Sequence, residues 1–361
     1  MKLSLTDTRV RIAAGLILMF FICKWSVGEM HNVKDKAKVA AMTATMKTVC
    51  VGRFLIDVPA EAQVFYRGAF LQGWDIAVYP DETEEQFANS LDSKEAELAA
   101  KNNEKDLPSL ELARPINSNG VHGKLFIFDR NWVYGIEDGQ RKDHTFAATL
   151  AYARKENTSV KFSAEFGDTR IDALAKIVTQ FQPLAEDEIP TAPGFCFGRF
   201  MLLDPLTAEQ NERVTMFFSL KDHPDFVFAL DSAAGLKPPD SLLVRDARVR
   251  AEFESTSKTY RRGPRTIGGL RGEELVEGFN EHNGTTGYSF EWESFPDQHD
   301  VFRPDLDLEL TTGHPPRAGG KPVQSSLSDE ALLILWDKIA SSIRVRPTSG
   351  APAGDGTTIS R

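Results

Sequence analysis

The sequence predicts an α+β protein built from two tandem copies of one domain, each an antiparallel sheet with helices. Three observations carry the prediction. Cys50-Val51-Gly52-Arg53-Phe54 returns as Cys196-Phe197-Gly198-Arg199-Phe200, 146 positions later, and internal self-similarity is weighed before any local motif. Other landmarks keep that register: Val121-His122-Gly123 with Leu270-Arg271-Gly272, and residues 162–167 with residues 308–313. Strand-like runs also come in blocks with a helix between them, not in the strict alternation of a βαβ fold.

At the N-terminus, Arg9 and Arg11 precede an unbroken apolar run, residues 12–23, that stops at Lys24. Twelve residues span about 18 Å as a helix, short of the roughly 30 Å hydrocarbon core. We read them as the apolar region of an export signal, with an uncleaved inner-membrane anchor as the alternative. Ala37-Lys38-Val39-Ala40-Ala41 is the nearest small-residue cleavage candidate. Residues 1–47 are thus leader plus a polar, alanine-rich tether or frayed helix.

The first domain, residues 48–184, opens with a strand over 49–58 and an apolar hairpin region over 64–79 around Gly68 and Gly73. Residues 83–101 lack Gly and Pro and are rich in Glu, Ala, Lys and Leu, a helix. Strands follow over 124–134, 145–153 and 160–166, with turns at Gly139 and Asn157. Ile171, Leu174, Ile177, Val178 and Phe181 then share one helical face ahead of Pro183.

Residues 185–194, acidic and holding Pro190 and Pro193, form a short, stiff linker. The second domain, residues 195–346, repeats the order: strands over 197–203, 213–220 and 226–230, a helix after Pro239, and strands over 274–279, 288–293 and 306–310. Its closing helix carries Leu332, Leu335, Trp336, Ile339 and Ile343 and is about one turn longer than the first. Thr169-x-x-Asp172 and Ser326-x-x-Asp329 both have the form of a capping box. Residues 347–361, rich in Gly, Pro, Ser and Thr, read as a disordered tail.

Charge excludes some partners. Residues 1–47 hold eight Lys and Arg against three Asp and Glu, a net of +5, which leaves the rest at −15 within a total of −10. Nucleic acid demands a basic face, so this body is not expected to bind it. Anionic lipid would repel it, leaving membrane contact to an uncleaved leader.

Chemistry finds no home in the motifs, and no enzyme, cofactor or metal is expected. Gly287-Tyr288-Ser289-Phe290-Glu291 fails as a nucleophile elbow at its last position. The seven histidines are scattered, without a zinc-ligand spacing. Gly268-Gly269-Leu270-Arg271-Gly272 lacks the Lys-Ser/Thr of a phosphate loop. Asp305-x-Asp307-x-Glu309 invites a calcium reading, but alternation with Leu306, Leu308 and Leu310 favours a strand with one wet side.

The repeated positions Cys50, Gly52, Arg53, Cys196, Gly198 and Arg199 read as structural. Each cysteine is taken as a buried small hydrophobe in its own sheet, a disulfide between the domains being the alternative. Arg53 and Arg199 are each expected to pair with a carboxylate inside their own domain, and Gly52 and Gly198 to mark a bulge or close approach. A contact surface is expected around residues 294–304: Trp292, Phe295, Phe302 and Arg303 lie in or beside a proline-stiffened loop, a composition typical of interface hot spots. Rings folded back onto their own sheet are the alternative.

On Cys50-x-Gly52-Arg53-Phe54 through Val58-Pro59, on Gly194-Phe195-Cys196-x-Gly198-Arg199, on Ile267-Gly268-Gly269-Leu270-x-Gly272 and on the helix through Trp336, the chain resembles the family-four immunity proteins that accompany type VI secretion lipase effectors. The resemblance covers about residues 48–346. It implies a two-lobed clamp, monomeric when free, that acts in the periplasm, grips a phospholipase effector and stops its lid from opening. An envelope scaffold or lipid-binding protein with no toxin partner is the alternative; it would bind phospholipid vesicles in the absence of any lipase.

Overall fold

The motif that betrays the duplication is also where the two copies touch. The structure, a computed structural model, describes residues 33–204, 211–237, 240–253, 256–315, 317 and 319–349. Strands β1 (Met46–Gly52) and β2 (Phe54–Pro59) form a tight hairpin, where the sequence predicts a single strand over 49–58. Gly52 holds a φ of +63° at the turn and Gly198 one of +55° at its counterpart. A glycine at the first central turn position permits this tight reversal, so neither is a bulge.

The first half continues with β3 (Gln63–Tyr66), β4 (Ala69–Leu71), β5 (Trp74–Pro80), α2 (Glu84–Ala99), β6 (Leu110–Ser118), β7 (Val121–Glu137), β8 (Gln140–Lys155), β9 (Thr158–Ala164), α3 (Ile171–Val178) and β10 (Phe181–Pro183). The second half runs β11 (Gly194–Phe197), β12 (Phe200–Leu203), β13 (Glu212–Leu220), β14 (His223–Ala234), α4 (Leu242–Phe253), β15 (Ser257–Ile267), β16 (Leu270–Asn280), β17 (Thr286–Ser294), β18 (Asp305–Thr311), α5 (Asp329–Ala340) and β19 (Arg344–Val345). The order is the same, with β3 and β4 together standing where β13 stands. Gly123 and Gly272 open equivalent strands β7 and β16, and a Cβ on either would lie 2.1 Å from a carbonyl of the next strand. Close approach explains why that landmark survives in both copies.

The two sheets do not divide between the halves. The smaller, six strands in the order β10-β12-β11-β1-β2-β19, reads the same from either end once equivalent strands are interchanged. Each half lends its closing strand to the hairpin of the other: β10 pairs with β12, and β19 with β2. The 13-stranded sheet is likewise palindromic, with β4 and β13 at its centre. One apolar cluster runs through both halves, from Val51, Phe54 and Trp74 to Phe290, Trp292 and Trp336. The α+β, two-domain, antiparallel architecture is as predicted; the two copies are knitted together.

Edges explain two strands absent from the sequence reading. β6 and β15 lie at opposite ends of the large sheet and contain Pro115 and Pro264 with several charged residues. Proline and charge belong on edge strands, where they block further pairing, and they hide the apolar alternation a strand search relies on.

Helix ends bring further corrections. Thr83 and Gln86 cap α2 reciprocally. At α3 a short 3-10 turn (Asp168–Arg170) precedes the helix and no side chain caps it, while α5 is capped by Ser328, not Ser326. Residues 33–42 form a helix, α1, docked on the body and not a tether. Its Val39 is buried in the shared core, and Lys338 Nζ donates to Thr43 O at 2.8 Å. Ser349 N donates to Thr191 O at 2.7 Å, so the tail begins no earlier than there. The apolar leader and residues 350–361 lie outside the described residues. Among the described residues no helix is long and apolar enough to cross a membrane.

The seam overturns both expectations about the repeated polar residues. Val51 pairs with Phe197 and Gly52 with Cys196, so the homologous strands β1 and β11 run side by side. Cys50 and Cys196 are joined as a disulfide across that pairing; they are not separate thiols in separate sheets. Arg53 reaches out of its own half: Nη1 lies 2.7 Å from Asp204 Oδ2, Nε 2.9 Å from Glu212 Oε1 and Nη2 2.9 Å from Glu212 Oε2. Arg199 reaches the other way, to Asp81 of the first half. Burial opposes the Arg53 charge, and the bidentate Glu212 and Asp204 contacts overcome it and hold the guanidinium protonated. Removing one partner of a buried pair leaves its opposite charge uncompensated, at a cost of about 3–5 kcal/mol. Arg53→Ala is therefore expected to lose about that much unfolding free energy in urea, whereas Arg199→Ala, whose partner is solvent-exposed, shifts the midpoint far less. Equal losses from the two would contradict this assignment.

Candidate functional site

A duplicated frame retains what folding needs in both copies, so features present in one copy alone are where a separate task is most visible. Two such additions stand out. In the first half the β8–β9 connection is the two residues Glu156 and Asn157; its counterpart between β17 and β18 spans residues 295–304. Conversely β7 and β8 are 17 and 16 residues long, against 11 and 9 for β16 and β17.

The 295–304 loop is closed by its own chemistry. Ser294 Oγ donates to Pro304 O at 2.7 Å and accepts from Leu306 N at 2.9 Å, tying the base. Asp297 N donates to Arg303 O at 2.8 Å, and Asp300 Oδ1 accepts from Phe302 N at 2.9 Å. Arg303 lies 3.1 Å from Asp297. A loop so cross-linked arrives at a partner already shaped, which lowers the ordering cost of binding.

Of the four residues the sequence singles out, three lie in this loop and one does not reach the surface. Phe295 and Phe302 are 42% and 45% exposed and Arg303 is exposed. Trp292 is fully buried in the shared core, its indole N–H donating to Arg265 O at 3.0 Å. It faces inward because alternation along β17 puts it with Phe290, so it cannot touch a partner.

Beneath the loop, a cleft of about 820 Å³ lies between the halves. Phe70, Gln72 and Arg170 of the first half line one side; Asn211, His299 and Phe302 of the second line the other. Arg170 is held by Gln72 O at 2.5 Å and lies over the Trp74 ring at 4.9 Å. Phe302 also borders a void of about 20 Å³ with Arg53, Asp204 and Arg346, so the loop sits directly on the buried ion network. Arg346 pins the linker there, donating to the carbonyls of Pro190, Ala192 and Gly194 at 2.6, 2.8 and 2.6 Å.

The outer face of the large sheet differs between the copies. Under α2 it is apolar: Phe87, Leu91 and Leu98 pack on Phe126, Leu150 and Tyr152. Under α4 it is acidic, with Glu291 and Glu293 of β17 beside Asp305, Asp307 and Glu309 of β18. Glu291, Glu293 and Asp307 could converge on one cation, but Arg245 of α4 already supplies the positive charge, 2.8 Å from Glu293 and 3.4 Å from Glu291. The acidic side of β18 alternates with buried Leu306, Leu308 and Leu310, as the sequence implies, with Glu309 exposed and Asp305 and Asp307 half-buried. Burial, reinforced by neighbouring carboxylates, pushes Asp307 up to about 8, Glu291 to about 7 and Asp305 to about 6.

Sequence reasoning missed the β7–β8 extension and the seam. The first left a signal, since Trp132, Tyr134 and Ile136 alternate into the Gly139 turn. The second left only the repeat itself.

Comparison with known proteins agrees with this geometry. Residues 47–174 match the family model described as Tle cognate immunity protein 4 N-terminal domain, and residues 188–348 match its C-terminal domain. The fold is similar to the apo immunity protein TplEi of the type VI secretion system of Pseudomonas aeruginosa, at 25% identity and a TM-score of 0.68, over 84% of this chain and 98% of that one. It is similar by the same measures to a chain in the crystal structure of a Tle4–Tli4 complex. TplEi complexed with an "L" peptide gives a TM-score of 0.66 at 25% identity, over 84% of this chain and 99% of that one. No curated protein matches the sequence.

The acidic face carries a pH signature. Unfolded carboxylates titrate near pH 4, whereas these three hold their protons to about pH 6–8 when folded. The folded chain binds more protons, so this contribution is full below about pH 4 and lost as pH rises through 6 to 8. The wild-type melting temperature is expected to fall by several degrees from pH 5.5 to pH 8.5, and Asp307→Asn to flatten that slope. Parallel pH profiles for the two proteins would contradict the assignment.

Proposed function

We propose that this chain, which belongs to the Tle cognate immunity protein 4 family, neutralises a phospholipase-class Tle effector in the periplasm by gripping it so that its lid stays shut. Immunity through binding a cognate Tle effector, without enzymatic action, follows from the family. The lipase class, the compartment and the grip are our reading.

The observation that carries it is the rigid two-copy frame with a preformed cleft at its seam. A lipase must move a lid to expose its nucleophile. A protein that binds only the closed state shifts that equilibrium by its differential affinity and needs no reactive group. Because the halves share one core and two sheets, the grip depends on a preshaped surface and not on closure of two tethered modules.

Export is supported by the basic and apolar residues before residue 24 and by the disulfide, which persists in oxidising compartments. Cleavage at residues 37–41 would remove or expose Val39, which is buried in the shared core, so our reading places any processing site before this helix. The acidic body keeps free copies apart as monomers.

The full chain is expected to co-elute at one-to-one stoichiometry with the Tle effector encoded beside its gene. An equimolar amount should abolish hydrolysis of phospholipid vesicles. Separate elution with undiminished hydrolysis would refute the reading.

A further inference from the structure

The β7–β8 hairpin outruns the sheet that supports it. β6 accompanies β7 only as far as the Leu110–Phe128 pairing, and β9 accompanies β8 only from the Thr149–Ala164 pairing. Residues 131–146 therefore project as a two-stranded ribbon beyond the register shift at Phe128/Asn131, with no third strand paired to either edge among the described residues. Its base is fixed: Trp132 N donates to Glu104 Oε1 at 2.9 Å, and Arg130 is bound by Glu111 and Asp168 at 2.7 and 3.0 Å.

Alternation puts Trp132, Tyr134 and Ile136 on one face. Tyr134 and Ile136 are 64% and 66% exposed. Ribbon charges pair with each other, Lys142 with Glu137 at 2.6 Å and Arg141 with Asp143 at 2.9 Å, and Arg141 also lies over Tyr134 at 4.5 Å. The exposed part of the face is Tyr134 and Ile136 at the tip, with Trp132 half-buried at its base under Lys105 Nζ at 3.9 Å. Apolar and aromatic contact flanked by basic side chains is the composition of interface hot spots.

We infer that this ribbon is a jaw for the effector, docking Trp132, Tyr134 and Ile136 against an apolar patch on that enzyme. The inference rests on the proposed function. Area argues that it does not act alone: three such side chains cover roughly 400–600 Å², short of the roughly 800 Å² per partner of a standard interface. Self-pairing through the same face would be equally undersized. Since residues 1–32 carry +2 of the total −10, the body from residue 33 onward carries −12 and repels both a second copy and anionic lipid. A different protein with an apolar patch, also meeting the 295–304 loop, satisfies both constraints. Neither addition has a counterpart in the other half, as expected if they serve a partner and not the frame.

The test uses the full chain, the Tle effector encoded beside its gene and the double substitution Tyr134→Asp/Ile136→Asp. Affinity should fall about 100-fold or more, with the melting temperature unchanged because the tip lies beyond the sheet. In the wild-type complex, amide exchange at residues 131–146 should slow, a reading that needs no variant. Affinity within threefold of wild type, or unaltered exchange there, overturns the inference while wild-type binding keeps the functional reading intact. Failure of the wild type itself to bind sinks that reading first. Wild-type binding to phosphatidylcholine vesicles that the variant loses, or a wild-type dimer that the variant abolishes, would reassign the ribbon and overturn the inference as well.

Discussion

A single buried arginine organises the contact between the halves. Arg53 sits at the turn of the first hairpin, yet its two carboxylates, Asp204 and Glu212, both belong to the second half. A guanidinium taken out of water is tolerated only with such full, bidentate pairing. The β1–β11 register is thereby tied to a charge that cannot be left alone. The disulfide between Cys50 and Cys196 crosses the same point. Closing a loop of this length restricts the unfolded chain, worth on the order of 5 kcal/mol in the chain-entropy account. Everything outward of the seam, from the exchanged closing strands to the continuous core, is consistent with two copies that fold as one body.

From that rigidity follows a division of labour. The frame is duplicated and the additions are not: a loop of ten residues over the cleft in the second half, and a ribbon projecting from the first. Both present aromatic side chains to solvent, and both are anchored at the base by hydrogen bonds that fix their direction. Preorganisation of this kind reduces what binding loses to ordering.

Much of this was legible in the residues and some was not. The repeat, the apolar strands, the α2 and α5 segments and the seam motif are all visible, because core-facing alternation and helical periodicity follow directly from burial. The hairpin inside residues 49–58 looks like one strand in the sequence, since a two-residue turn interrupts the apolar run by only Gly52 and Arg53. Partner choice is invisible in the sequence for a deeper reason. Arg53 and Arg199 satisfy their charge across the seam, and no local pattern reports which of two equivalent sheets a strand joins. β6 and β15 were hidden by the prolines and charges that protect edges. Trp292 is hard to place from the sequence because a tryptophan beside a loop looks exposed until the register of β17 turns it inward.

The central claim is that the two copies form one cooperative unit through the seam. Guanidinium unfolding of the oxidised protein tests it most directly, followed by tryptophan fluorescence and by far-ultraviolet circular dichroism. Trp74 and Trp132 report on the first half and Trp292 and Trp336 on the second. Coincident single transitions at one midpoint are the predicted result. Two separated transitions, one for each half, would contradict it.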